Sequence, residues 1–295
     1  MRTEDKKINC ILAINIPGVK RNFGELKVSE VSIEDLYYLQ GELKKTRKTQ
    51  TVNDYLAIIK HLMKDARKER LIEYDPCVLL NNLKRTEEKA RDTYHRALSI
   101  KEQSSFFECD RAKSSFYYNA FRFAILTGMR AGEIGALKYG DIRDDKIHVE
   151  RTITRTEAGN YVVGESAKTK CGRRTIPIND SIRKVIDEQK MINIALDGDD
   201  VTKDSLIFKA PERGLLMSTP MDREIRRICD IIEIEPFSMH AFRDTFATRA
   251  IECGINPRTL QELLGHSNFN LTMSLYGHVL DDTKTKAMDS LKIDI

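Results

Sequence analysis

Four side chains that could act together on one phosphodiester lie between residues 238 and 279: His240, Arg243, His266 and Tyr276. An arginine offers a planar fork matched to two phosphate oxygens. Each such charge-assisted hydrogen bond contributes about 1.5–3 kcal/mol. Histidine can donate to a remaining oxygen or accept the proton of a phenol. Tyrosine is a weak nucleophile at its free pKa of about 10, and neighbouring cations activate it.

The local sequence says how these residues can be positioned. Ser238 can cap a helix start and Gly254 can end that helix in the left-handed conformation. His240 and Arg243 are then three apart on one helical face and can point at one ligand. Asn256 followed by Pro257 starts the next helix, and Gly265 stops it, leaving His266 just past the helix end. Asn270 can cap a third, short helix that runs through Tyr276.

A further cation stands upstream. An apolar helix from Phe116 to Thr127 stops at Gly128, and Arg130 follows at the start of a short helix containing Glu133 and Leu137. A guanidinium beside free backbone N–H groups suits an anion. Residues 146–178 read as a small antiparallel sheet of about three strands, with Ile147, Val149 and Ile153 in half-buried alternation. Turn signals fall at Ala158-Gly159-Asn160 and at Lys168 to Arg174. Lys168 and Lys170, two apart, share a strand face. Asn179 or Asp180 then caps a helix over about 181–196. A helix from Ser218 to Ile232 carries Arg223, Arg226 and Arg227 on or near one face.

The chain ahead of this region is helical in pattern. Residues 1–24 lack periodicity and read as a tail or tether. Residues 25–85 read as an all-helical unit. Ser32 caps its first helix. A basic turn, Lys44 to Thr49, leads to a long helix from Thr51 with Leu56, Ile59, Leu62, Met63 and Ala66 on its inner face. Pro76 opens a short helix with Val78, Leu79 and Leu80. Residues 86–97 are polar and charged, as a linker would be. Residues 98–280 form the second domain, opened by the capping pattern Ser99 to Glu102, and 281–295 are a C-terminal tail. The expected fold class is mainly α with a small antiparallel β-sheet, α+β.

The ordered set His240-x-x-Arg243, Leu264-Gly265-His266 and Tyr276, with His278 two places on, resembles the signature of the tyrosine recombinases, the phage-type integrase family. Leu126-Thr127-Gly128-Met129-Arg130 with Glu133 resembles that family's first arginine motif. Lys168-Thr169 before a turn, followed by Arg173-Arg174 and Ile176-Pro177, resembles its β-hairpin and its mobile-element branch. The resemblance covers about residues 25–280. It implies a helical core-binding domain followed by a mixed catalytic domain. Arg130 and Arg243 would clamp the scissile phosphate, with Glu133 in support. His240 and His266 would assist, and Tyr276 would attack to give a 3′-phosphotyrosyl link. Lys168, with Lys170 as runner-up, would protonate the leaving 5′-oxygen. The implied partners are double-stranded DNA attachment or recombination sites, three further copies in a homotetramer on DNA, and an accessory or directionality factor. No cofactor and no metal are implied.

Composition fits this picture without demanding it. The 295 residues are 41% hydrophobic and 32% charged, with a net charge of +4. No apolar run approaches a membrane span and no signal-peptide pattern occurs, so a cytoplasmic location is expected. The six cysteines are scattered, without metal-ligand spacing, and read as reduced and mostly buried. Two rival readings share the motifs. A type IB topoisomerase uses similar chemistry on arbitrary duplex, and an idle DNA-binding relative would keep the fold without cleavage.

Overall fold

A computed structural model of the chain describes residues 27–84, 96–156, 158–165, 173–198, 201–212, 214–266 and 273. The chain divides into two compact units between Arg91 and Asp92. Among the described residues, no helix is long and apolar enough to cross a membrane.

The first unit packs two helices on one apolar core. Helix α1 spans Ile33–Thr46 and α2 spans Thr49–Lys68. Ser32 and Asp35 form a reciprocal cap at the start of α1: Asp35 N–H donates to Ser32 Oγ, and Ser32 N–H donates to the Asp35 carboxylate. Leu36, Leu39 and Leu43 of α1 meet Val52, Leu56, Ile59 and Met63 of α2. Leu62, expected on the inner face, is exposed because it falls at the edge of that stripe. Pro76–Leu79 form a single 3₁₀ turn. The turn buries Cys77, exposes Val78 and Leu79, and leaves Leu80, just past its end, buried. The Asn53 amide then holds Leu83 in both directions, donating to its carbonyl at 3.0 Å and accepting its N–H at 2.9 Å.

The second unit begins with α3, Ile100–Glu108, capped by Ser99 and Glu102 as expected. Short α4, Asp110–Lys113, leads to the apolar α5, Tyr118–Thr127, and to α6, Ala131–Gly135. Among the described residues, five short strands follow: β1 Ile142–Arg143, β2 Lys146–Val149, β3 Arg151–Arg155, β4 Tyr161–Glu165 and β5 Arg174–Pro177. They form two antiparallel sheets, β1-β2-β5 and β3-β4, rather than one sheet of three. The chain changes partner at Glu150. Ile147 and Val149 are buried in the first sheet, while Ile153 belongs to the second ladder and is only half-buried. The fold is mainly helical with small antiparallel sheets, as the sequence predicts.

Helix α7, Asp180–Asp197, is capped by the Asn179 side chain. Helices α8, Ser218–Ile231, α9, Met239–Glu252, and α10, Pro257–Leu264, follow. Phe106 lies within 5.7 Å of the ring centres of Phe121, Phe237 and Phe242. Phe242 is fully buried between His240 and Arg243 in sequence, so this aromatic cluster fixes the rotation of α9. Four cysteines, at 77, 109, 229 and 253, are free thiols. Two of them, Cys77 and Cys229, are buried, and burial pushes their thiols up to about 12 and about 11.

Candidate active site

The site is assembled around the C-terminal end of α10. A helix end leaves its last carbonyls without helical partners, and its dipole favours cations. Gly265 turns the chain there at φ +65°, a left-handed conformation that costs other residues energy. The three carbonyls at this end each take a guanidinium. Arg174 Nε donates to Leu263 O at 2.7 Å, Arg243 Nη2 to Leu264 O at 2.7 Å, and Arg130 Nη2 to Gly265 O at 3.4 Å.

Arg243 projects inward from α9 and is 2% exposed. Its Nη1 donates to Gly128 O at 2.7 Å. Gly128 ends α5 at φ +63°, and a Cβ there would lie 2.5 Å from the Phe246 ring. Burial pulls the Arg243 guanidinium down to about 9, and Arg130 adds to this. It therefore stays charged at neutral pH.

Arg130 occupies the N-cap position of α6, with its side chain 43% exposed. Glu133, one turn on, accepts both from its main-chain N–H and from its Nη1 at 2.9 Å. Glu133 is 3% exposed and also receives the fork of Arg174, at 2.9 and 2.8 Å. Burial acts to raise the Glu133 carboxyl, but the hydrogen bonds and charge of Arg174, with those of Arg130, outweigh it and hold the group below its usual range.

His266 follows Gly265 and is buried. Gln261 clamps its main chain, taking the His266 N–H at 3.2 Å and donating to its carbonyl at 3.0 Å. Burial, followed by the charges of Arg243, Arg130 and Arg174, drives the imidazole down to about 4. His240 is exposed on α9, with Nε2 3.5 Å from Asp244. Arg130, Arg243 and His240 line one cleft of about 460 Å³, with Ser218, Asp222 and Arg226. Such a wall of cations and donors can hold an oxyanion and stabilise charge that develops on it.

Four of the six sequence-predicted residues, Arg130, His240, Arg243 and His266, are thus gathered in one place. Lys168 and Tyr276 lie outside the described residues, as do Lys170 and His278. Two further residues were not among the candidate site residues read from the sequence. Arg174 is one, and its signal was available: it alternates in phase with Ile176, which is buried. An arginine on an inward strand face needs buried acceptors, a carboxylate or main-chain carbonyls, to satisfy it. Asp222 is the other. Ser238 stands at the N-cap of α9 but makes no cap hydrogen bond with its side chain. Asp222 of α8 instead accepts the Met239 N–H at 2.7 Å. A cap supplied from another helix leaves no local pattern.

Residues 96–283, which contain every one of these groups, match the model of the phage integrase family. The chain belongs to that family. It is 30% identical over 189 residues to a tyrosine recombinase XerC-like protein of Caldanaerobacter subterraneus subsp. tengcongensis, covering 58% of this chain and 48% of that one. It is 27% identical over 251 residues to the ICEBs1 integrase of Bacillus subtilis, covering 82% of this chain and 65% of that one. The chain thus spans about half to two thirds of the length of these relatives. Among solved structures, the Tn1549 transposon integrase in complex with a circular intermediate DNA superposes with a TM-score of 0.73 at 20% identity, over 92% of this chain and 89% of that one. A lambda integrase tetramer bound to a Holliday junction superposes with a TM-score of 0.61 at 18% identity, over 84% of this chain and 65% of that one. At these identities the likeness shows a shared fold.

Proposed function

We propose that the chain is a site-specific DNA recombinase of the integrase type, which cleaves and rejoins DNA strands through a 3′-phosphotyrosyl intermediate. The observation that carries the reading is the convergence of Arg130, Arg243 and His240 on one cleft, with buried His266 beside the same helix end. Family membership supports it.

Arg130 and Arg243 hold the non-bridging oxygens of the scissile phosphate and stabilise the charge of the transition state. The phenol oxygen of Tyr276 attacks phosphorus. A 3′-phosphotyrosyl bond forms, the bond to the 5′-oxygen breaks, and Lys168 supplies the proton to that oxygen. Such acid catalysis contributes about 10²–10⁴-fold. His240, beside Asp244, takes the proton of the phenol. His266 remains neutral and donates a hydrogen bond to the phosphate. The new phosphoester conserves the energy of the old one, so the reverse attack by a 5′-hydroxyl reseals the strand.

The partners follow from this reading: duplex recombination sites, three further copies of the chain in a tetramer on DNA, and an accessory or directionality factor. The first unit binds DNA beside the cleaved site, with Lys44 and Lys45 of the last turn of α1 and Arg47 and Lys48 of the α1–α2 connection against phosphate. The basic turn expected over Lys44 to Thr49 is shorter, because the two helices take up its ends. The setting is the cytoplasm.

The test is a pair of supercoiled plasmids, one carrying the junction beside the protein's own gene and one unrelated. Cleavage and recombination confined to the first are expected. Equal relaxation of both would replace this reading with a topoisomerase, and binding without cleavage would replace it with an idle relative.

A further inference from the structure

Arg174 is fully engaged within the site, yet it does not line the cleft. Its side chain is 5% exposed. Nη1 and Nη2 fork onto the two oxygens of Glu133, and Nε donates to Leu263 O. A guanidinium with all three nitrogens so committed has little left for a substrate. What it does have is leverage on the groups that face the cleft. Glu133 Oε1 also accepts from Arg130 Nη1, and Oε2 accepts from the Arg130 main-chain N–H. One carboxylate therefore joins two arginines through both of its oxygens. The Leu263 carbonyl belongs to the same helix end whose next two carbonyls hold Arg243 and Arg130.

We propose that Arg174 is a positioning residue for strand cleavage: its fork holds Glu133 and, through Glu133, the phosphate-facing Arg130, while its Nε fixes the helix end that seats Arg243. The inference rests on the recombinase reading. It also explains why Glu133 can stay ionised where burial opposes its charge. Without the Arg174 fork the largest of the influences opposing burial is lost, the carboxyl becomes easier to protonate, and its grip on Arg130 weakens. Lysine cannot replace arginine here, because a point charge cannot span both carboxylate oxygens and the Leu263 carbonyl.

The test uses the full chain in single-turnover cleavage of a nicked duplex spanning the junction beside its own gene. Rates and duplex affinity are measured between about pH 5.5 and 8.5. Arg174→Lys is expected to bind the duplex as the wild type does and to cleave about 10–100-fold more slowly, the loss typical of a displaced catalytic group. Arg174→Gln is expected to acquire a new pH dependence, with cleavage rising toward alkaline pH as Glu133 ionises. Arg174→Met combined with Glu133→Gln removes both charges and keeps the core filled. It guards against simple unfolding, and is expected to fold, bind and cleave slowly without the new pH dependence. Wild-type cleavage rates in Arg174→Lys would overturn the inference. So would a loss of equal factor at every pH in Arg174→Gln with a parallel loss of affinity, which is the mark of a structural residue. A wild-type chain that forms no covalent adduct would sink the recombinase reading and this inference together, and is told apart by that control.

Discussion

Two helix ends meet at the site, and they are dressed in opposite ways. The C-terminal end of α10 collects three guanidinium groups on three successive carbonyls. The N-terminal end of α9 is met by a carboxylate, Asp222. Both arrangements satisfy the helix dipole. Their consequences differ. A carbonyl holds a guanidinium without cancelling its charge, so Arg243 is fixed and its charge remains available to a phosphate. The Asp222 cap offers nothing to an anion. It fixes the turn that presents His240, and it leaves that end less attractive to phosphate than a bare helix start. The site therefore collects its charge at one helix end and its orientation at the other.

The largest break in this contrast is the loss of Arg243. Arg243→Ala orphans the Gly128 and Leu264 carbonyls and removes the buried charge. Strand cleavage is expected to fall on the order of 10²–10³-fold, measured as phosphotyrosyl adduct per unit time. Duplex affinity should fall much less. Next comes the turn itself. Gly265→Ala places a Cβ in left-handed backbone at a cost of about 1–2 kcal/mol and displaces the carbonyls behind it. Thermal unfolding should move down, and cleavage should fall with it. Asp222→Ala acts at the other end, where losing a cap typically costs about 1 kcal/mol. Cleavage should fall through His240, while phosphate affinity is retained or slightly raised.

The smallest effect is a matter of pH. His266 resists protonation in the folded chain down to about 4, whereas the unfolded chain takes up that proton near its ordinary value of 6.5. Between these values the unfolded state binds more protons, so stability falls as pH drops from about 6.5 to 4. His266→Gln should flatten that part of the profile in thermal unfolding. An unchanged slope would mean that His266 is not the group responsible.

Much of this was legible in the sequence because it is local. Asn256-Pro257 and Gly265 bound α10, and His240 and Arg243 share α9, since caps and helical spacing act over a few residues. The motif order also located Arg130 at the start of α6. What escaped depends on partners distant in the chain. Arg174 meets Glu133 41 residues away, and Asp222 caps Met239 across 17. The exchange of strand partners at Glu150 is equally non-local, since each of the two sheets is completed only when the chain returns. Leu62 is a different case: apolar type alone suggested the inner face, while the helical angle puts it at the rim.

In the proposed reaction this cluster of cations serves a covalent attack by Tyr276. The most direct measurement is to quench the full chain with its junction DNA in SDS and map the DNA-linked peptide by mass. The expected result is an adduct on the peptide containing Tyr276, absent in Tyr276→Phe while DNA binding persists. An adduct on another residue, or equal strand cleavage by the wild type and Tyr276→Phe, would contradict it.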